Sequence, residues 1–153
     1  MLHVPLCICA LIKSHVTRCR VTVVMHAKEL KRTTNTGHLA ALALEQGEVR
    51  IRGLRDTQLS EDGLVCPDSA NFVLYPTEEA PILSADWARQ QSAPIHLIVP
   101  DGNWRQAKRA IYREPSLAQL PRIQLGPGPP SRYRLRSHHD TRRVSTFEAI
   151  TRA

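Results

Sequence analysis

Apolar residues along this chain come in short unbroken runs, each closed by a polar loop that leads into a helical pattern. Val21-Thr22-Val23-Val24-Met25 is a β-branched run of buried-strand type that ends at His26. Beyond polar Lys28 to Thr34, Leu39 to Leu44 reads as a helix with its N-terminus at Thr34 or Asn35 and its end at Gly47. Glu48 to Gly53 alternates and predicts a strand exposed on one face, at the sheet edge. Residues 55–69 are polar and predict irregular structure with room for one short helix. Asn71 to Tyr75 is a further strand, stopped by Pro76, and Ser84 caps a short helix to Gln91 that turns Trp87 inward. Ile95, Leu97, Ile98 and Val99 form the third buried run. Pro100 stops it, and Asp101-Gly102-Asn103 turns the chain into an amphipathic helix from Trp104. On that helix Arg105, Lys108, Arg109 and Arg113 share one face, leaving Ala107, Ala110 and Ile111 to meet the sheet. Leu117, Leu120 and Ile123 suggest a short helix and a strand before Gly126-Pro127-Gly128-Pro129-Pro130, which can continue neither. Ser145 with Glu148 has the form of a capping box, so a last helix starts there.

Strands alternating with helices predict an α/β fold, a mainly parallel sheet flanked by helices, with the loops after Met25, Tyr75 and Pro100 on one rim. Open sheets of this kind place their chemistry on that rim. Neither a glycine-rich dinucleotide fingerprint nor a P-loop lysine motif is present, which argues against a Rossmann cofactor site and against NTP hydrolysis.

At 153 residues the chain is one domain in size and long enough to bury a core without staples. It has no apolar run long enough to cross a bilayer, and its apolar N-terminus has no cation ahead of it, so neither a membrane span nor a secretory signal is expected. Four cysteines, Cys7, Cys9, Cys19 and Cys66, lack disulfide-like regularity and fit a reducing cytoplasm. Cys7 and Cys9 have no second pair at zinc spacing, so no metal site is expected.

Charge changes the picture most. Of the formal net charge of +7, none comes from residues 1–100, where ten Lys/Arg face ten Asp/Glu; residues 101–153 carry eleven against four. A basic half joined to a neutral half points to a polyanion, and 17 of the 21 basic residues are arginine, the residue suited to forked phosphate contacts. For single residues plainer readings compete. Asp101 has the form of a helix cap, His26 of a hydrogen-bonded structural residue, and Thr33-Thr34-Asn35-Thr36 of a cap rather than a ligand site.

Five segments in order, Arg32-Thr33-Thr34-Asn35-Thr36-Gly37, Leu74-Tyr75-Pro76, Asp101 to Ala107, Ser131 to Arg136 and Ser145 to Ala149, resemble the DTW-domain family, whose members are tRNA-uridine aminocarboxypropyltransferases. The resemblance covers nearly the whole chain. Asn103 stands where the family has threonine, which keeps a hydrogen-bonding side chain, and a Cys-x-x-Cys expected upstream of Cys7 and Cys9 is absent. The expectation is a single DTW domain over 1–153 that lacks an N-terminal Cys-rich segment and the end of its C-terminal helix.

The resemblance implies a SPOUT-like fold with a C-terminal trefoil knot, and S-adenosylmethionine bound as co-substrate by loops that include Tyr75, Pro76, Pro100, Gly102, Arg134, Arg136, Ser145 and Thr146. It implies transfer of the 3-amino-3-carboxypropyl group to N3 of a tRNA uridine. N3 is a weak acid, so a base must take its proton; Asp101 is the candidate, with Asn103 and Trp104 beside it. Arg134 or Arg136 would hold the donor's carboxylate by a forked contact. Trp104 either stacks on the target base or anchors its helix in the core. Arg105, Arg109, Arg132, Arg142, Arg143, Asn35 and Thr36 would meet tRNA. Two alternatives stay open: a methyltransferase on the same kind of fold, and a non-catalytic RNA-binding module.

Overall fold

The computed structural model describes residues 7–135 and 144–153. Its sheet has six strands, β1 (Arg20–His26), β2 (Gly47–Arg52), β3 (Ala70–Leu74), β4 (Ile82–Leu83), β5 (Ile95–Asp101) and β6 (Arg122–Leu125), in the order β2-β1-β5-β3-β6-β4. Each pairing of neighbours in it is parallel. The helices are α1 (Gly37–Leu42), α2 (Ala85–Arg89), α3 (Trp104–Arg113), α4 (Pro115–Ala118) and α5 (Thr146–Arg152). A sheet of this kind is buried on both faces, which is why its central strands read as unbroken apolar runs.

Alternation along those runs feeds two cores. Val21, Val23, Met25, Leu97 and Val99 share one core with Ala41 of α1, Trp87 of α2 and Ala149 and Ile150 of α5. Val24, Val73 and Ile98 point the other way, onto Ile111 of α3, Leu117 of α4, and Leu59 and Leu64. Leu59 and Leu64 belong to the 55–69 stretch, which has no helix; it is a structured loop held by buried leucines and by Asn71. The Asn71 amide donates to the Cys66 and Ser69 carbonyls, and its oxygen accepts from Cys66 N–H. That oxygen also takes His96 Nδ1 at 2.9 Å, which leaves Nε2 to accept from the Thr22 hydroxyl at 2.8 Å. Burial, aided by the Arg20 charge, pushes the His96 pKa down to about 4, so the ring sits neutral inside the sheet.

Two expected boundaries move. α1 begins at Gly37 after Thr36, which makes no side-chain cap bond; the capping oxygen is that of Asn35, accepting from His38 N–H at 3.1 Å, and the helix ends at Leu42 instead of Gly47. His15 captures the chain there: its N–H bonds the Ala43 carbonyl and its own carbonyl takes Glu45 N–H. Gly47 opens edge strand β2 and lets it pass against Ala41, whose carbonyl oxygen lies 2.1 Å from where a Cβ at Gly47 would stand. α2, α4, β6 and α5 form where the periodicity places them, and Trp87 packs edge-on against Phe72 with ring centroids 4.9 Å apart. Among the described residues no helix is long and apolar enough to cross a membrane.

Candidate functional site

Because β1, β3 and β5 run parallel, the loops after His26, Leu74 and Asp101 share one rim, as the strand pattern requires. Asp101 is the last residue of the central strand β5, in register with Met25. It does not cap α3. Asn103 does, accepting from Gln106 N–H while the Gln106 side chain returns to Asn103 N–H, so the capping box is complete without the carboxylate. Gly102 permits this approach, since a Cβ there would lie 2.8 Å from the Gln106 side-chain oxygen.

Freed from capping, the Asp101 carboxylate turns into the rim, 5% exposed. Its Oδ2 accepts from Asn35 Nδ2 at 2.5 Å and its Oδ1 from the Thr146 hydroxyl. Gly37 packs on the carboxylate itself; an added Cβ would stand 2.9 Å from Asp101 Cγ. Three segments far apart in sequence therefore meet on one side chain: the loop after β1, the end of β5 and the first turn of α5. The phenol of Tyr133 reinforces the junction by donating to the Thr34 carbonyl at 2.6 Å, and Thr36 Oγ1 accepts from Phe147 N–H at 3.2 Å.

This junction forms a polar wall of a cavity of about 1490 Å³. Ligand pockets typically measure roughly 300–1,000 Å³, so this open cleft is at the large end of what small-molecule sites use. Tyr75, Pro76, Pro100, Asp101, Gly102, Asn103, Trp104, Arg105, Thr36, Ser145 and Thr146 all line it. Its apolar wall comes from Leu74, Ile82, Leu125, Val144 and Ala149 and from the Gly126–Pro129 turn. Arg152 holds that turn by donating to the Pro129 carbonyl at 2.7 Å. Asp101 is the only acidic residue among the described lining residues, and no histidine is among them. Tyr75 has its pKa raised, chiefly by burial, which keeps its phenol protonated.

Trp104 is 41% exposed and lines the cavity, which excludes the core-anchor role; its ring lies against Tyr75 with centroids 5.7 Å apart. Arg109, Arg132 and Arg134 are exposed and do not line this cavity, while Arg136, Arg142 and Arg143 lie outside the described residues. Asn35 does not line it either, its amide being committed to Asp101 and to His38 N–H. His26 takes the structural role: Nδ1 accepts from Lys28 N–H at 3.1 Å, and its side chain packs beside Gly102 and Gly53. Burial and then the charges of Arg52, Lys28 and Arg109 lower its pKa, which marks a positive field on the rim beside the cavity.

Pattern reading missed Arg32, Thr34, Tyr133 and Arg152 as lining residues and took the Gly-Pro run only as a breaker. Arg32, Thr34 and Tyr133 sit inside motif segments, which was the available signal; Arg152 carried none.

Glu148 clips the ends of the excursion between β6 and α5. Its carboxylate accepts from Ser131 Oγ at 2.7 Å, Arg132 N–H at 2.7 Å and Ser145 N–H at 2.8 Å, the last completing the α5 capping box. Burial alone would raise its pKa, but these donors outweigh it and hold the carboxyl at about 2. The native-state value lies below the unfolded one, so the stabilisation is complete above pH 4.5 and is lost as pH falls through about 2. Glu148→Gln should therefore lower stability at pH 7 by about 1–2 kcal/mol, since a neutral amide accepts less strongly and leaves one donor unmatched. The stability difference between the two proteins, followed by urea unfolding, should shrink in acid; a difference independent of pH would show that the charge contributes nothing.

Comparison with known proteins places similar chains beside this one. The tRNA-uridine aminocarboxypropyltransferase 2 of Macaca fascicularis is 27% identical over 150 residues, covering 93% of this chain and 49% of that protein. The protein of the same name from Mus musculus is 33% identical over 130 residues, covering 82% of this chain and 43% of its own length. The chain thus spans about half the length of the curated relatives it matches. No solved structure matches it at a significant level. The DTW domain model matches residues 1–153. With the Asp101-Gly102-Asn103-Trp104 turn set at the mouth of a cavity on the sheet rim, the chain belongs to the DTW-domain family.

Proposed function

We propose that this chain is the catalytic domain of a tRNA-uridine aminocarboxypropyltransferase, which moves the 3-amino-3-carboxypropyl group of S-adenosylmethionine to N3 of a uridine in tRNA. The observation that carries the reading is the single described acidic group of the cavity, Asp101, held at the carboxyl end of the central strand in a cleft at the large end of what small-molecule sites use. The names of the matched relatives support the same reaction.

Bound S-adenosylmethionine supplies an electrophilic γ-carbon and a sulfonium leaving group. The protein's part is orientation and one proton transfer. Asp101 takes the N3 proton as the N3–Cγ bond forms and the Cγ–S bond breaks, the sulfur leaving with the electron pair as methylthioadenosine. Asn35 and Thr146 fix the carboxylate from two sides, and Asn103 sets the entry of α3 beside it. The apolar wall, with Tyr75, Pro76, Pro100, Gly102, Ser145 and Thr146 around the cavity, suits the donor. Trp104 at the mouth, paired with Tyr75, offers a stacking surface for the uracil. The exposed arginines of α3, Arg105 and Arg109, with Arg132 and with Arg142 and Arg143 outside the described residues, would take tRNA phosphates. The SPOUT-like, knotted arrangement belongs to the same proposal; it is supported by the return of α5 to the rim, where Thr146 reaches Asp101. The described thiols are free, and we place the protein in the cytoplasm.

Incubating the chain with unmodified bulk tRNA and S-adenosylmethionine, followed by nucleoside mass spectrometry, tests the reading. Aminocarboxypropyluridine is expected. Methyluridine instead would make the chain a methyltransferase, and RNA binding without product or donor affinity would make it a binding module.

A further inference from the structure

We propose that Arg32 determines donor specificity by binding the α-carboxylate of the aminocarboxypropyl group, and that buried Glu29 positions it. This rests on the aminocarboxypropyl reading given above. Among the described residues three cations line the cavity: Arg32, Arg105 and Arg152. Arg152 is spent on the Pro129 carbonyl, and Arg105 stands exposed on the outer basic face of α3. Arg32 differs from both because it is set from behind. Its Nε lies 3.5 Å from Oε1 of Glu29, whose side chain is 1% exposed, while its own side chain is 52% exposed. Burying a carboxylate is costly unless it is paired, so the Glu29 charge draws the Arg32 guanidinium toward it.

Backbone geometry then connects this pair to the reacting centre. Arg32 N–H bonds the Glu29 carbonyl and Asn35 N–H bonds the Arg32 carbonyl, each at 3.0 Å, so two successive tight turns join Glu29, Arg32 and Asn35. Asn35 ends on Asp101. The donor's carboxylate is three carbon–carbon bonds from its γ-carbon, about 4 Å. Arg32 lies one turn from the residue that holds Asp101 and lines the same cavity as Asp101, so its guanidinium can tether the carboxylate while the γ-carbon faces a base near Asp101. The tether also accounts for regiochemistry. Of the sulfonium's substituents, only the one carrying a carboxylate can be drawn to the Asp101 end.

Calorimetric titration of S-adenosylmethionine and of its decarboxylated analogue into the full chain separates the possibilities. The unaltered protein should prefer the carboxylated compound by about tenfold or more, the scale of a charge-assisted forked contact. Arg32→Met should bring the two affinities together, whereas Arg105→Met and Arg152→Met should leave the preference in place. Because Arg32→Met removes a cation from beside a buried carboxylate, the double variant Glu29→Gln/Arg32→Met is measured alongside and should show the same loss. Arg32→Lys should keep part of the preference, as a charge without the fork. A preference that survives in both methionine variants overturns the proposal, and so does an unaltered protein that binds the two compounds equally, although the latter leaves donor binding itself standing. Binding of neither compound overturns the underlying reading together with this one.

Discussion

Asp101→Asn is expected to lower aminocarboxypropyl transfer by about two to four orders of magnitude, the range a positioned general base contributes, with donor affinity little changed. The substitution preserves size but not hydrogen bonding. Thr146 can still donate to the amide oxygen, whereas the new amide nitrogen would face the Asn35 amide nitrogen that now sits 2.5 Å from Oδ2. A rate loss in this variant therefore mixes chemistry with a mismatched contact. The exchange Asn35→Asp/Asp101→Asn resolves them, because it restores one donor and one acceptor across the same gap but moves the charge to the loop after β1. If the exchanged protein recovers its melting temperature and stays slow, the charge at position 101 is the base. Full rate in either variant removes Asp101 from that role. Single-turnover kinetics on tRNA give the rate, and thermal unfolding gives the fold.

Gly47→Ala should be the most damaging single-methyl change, costing about 3 kcal/mol or more. A Cβ at this position would stand 2.1 Å from the Ala41 carbonyl oxygen and 2.9 Å from its carbon, both backbone atoms that no rotamer change can move. Relief requires α1 to lift from β2. That would also displace Gly37, at the other end of the same helix, from the Asp101 carboxylate. The variant should thus lose donor binding in proportion to its loss of stability, unlike Asp101→Asn, whose donor affinity should be little changed. Denaturant midpoints and donor titrations on both proteins read this out, and a Gly47→Ala protein of unaltered midpoint would show that α1 and β2 have room to separate.

The strands were legible because a parallel sheet covered on both faces writes itself as unbroken β-branched and aliphatic runs, and three such runs became β1, β3 and β5. Helix starts with a side-chain cap were equally plain at Ser84 and Ser145, where the rule is local: an oxygen within reach of the amide three residues on; at α3 the cap is Asn103 and not Asp101, which has the form of one. The start and end of α1 were not. Asn35 does cap with its oxygen, which accepts from His38 N–H, but its amide nitrogen is bound to a carboxylate 66 residues away, and the helix stops where His15 pairs with Ala43 and Glu45. The segment 55–69 looked like solvent-exposed loop because its two buried leucines, Leu59 and Leu64, have no periodicity to mark them.

The sequence by itself thus determined the α/β class, the parallel order of strand and helix, the concentration of positive charge beyond residue 100, and the motif segments that belong to the rim, since each depends on neighbours a few positions apart. What those segments do to one another depends on the folded chain. That Asp101 is released from capping and gripped by Asn35 and Thr146, that Trp104 stands at the cavity mouth against Tyr75, and that Arg32 faces the cavity with Glu29 behind it, depend on packing between distant segments. Local pattern carries no record of such contacts, because their free energy appears only when the folded sheet brings the segments to one rim.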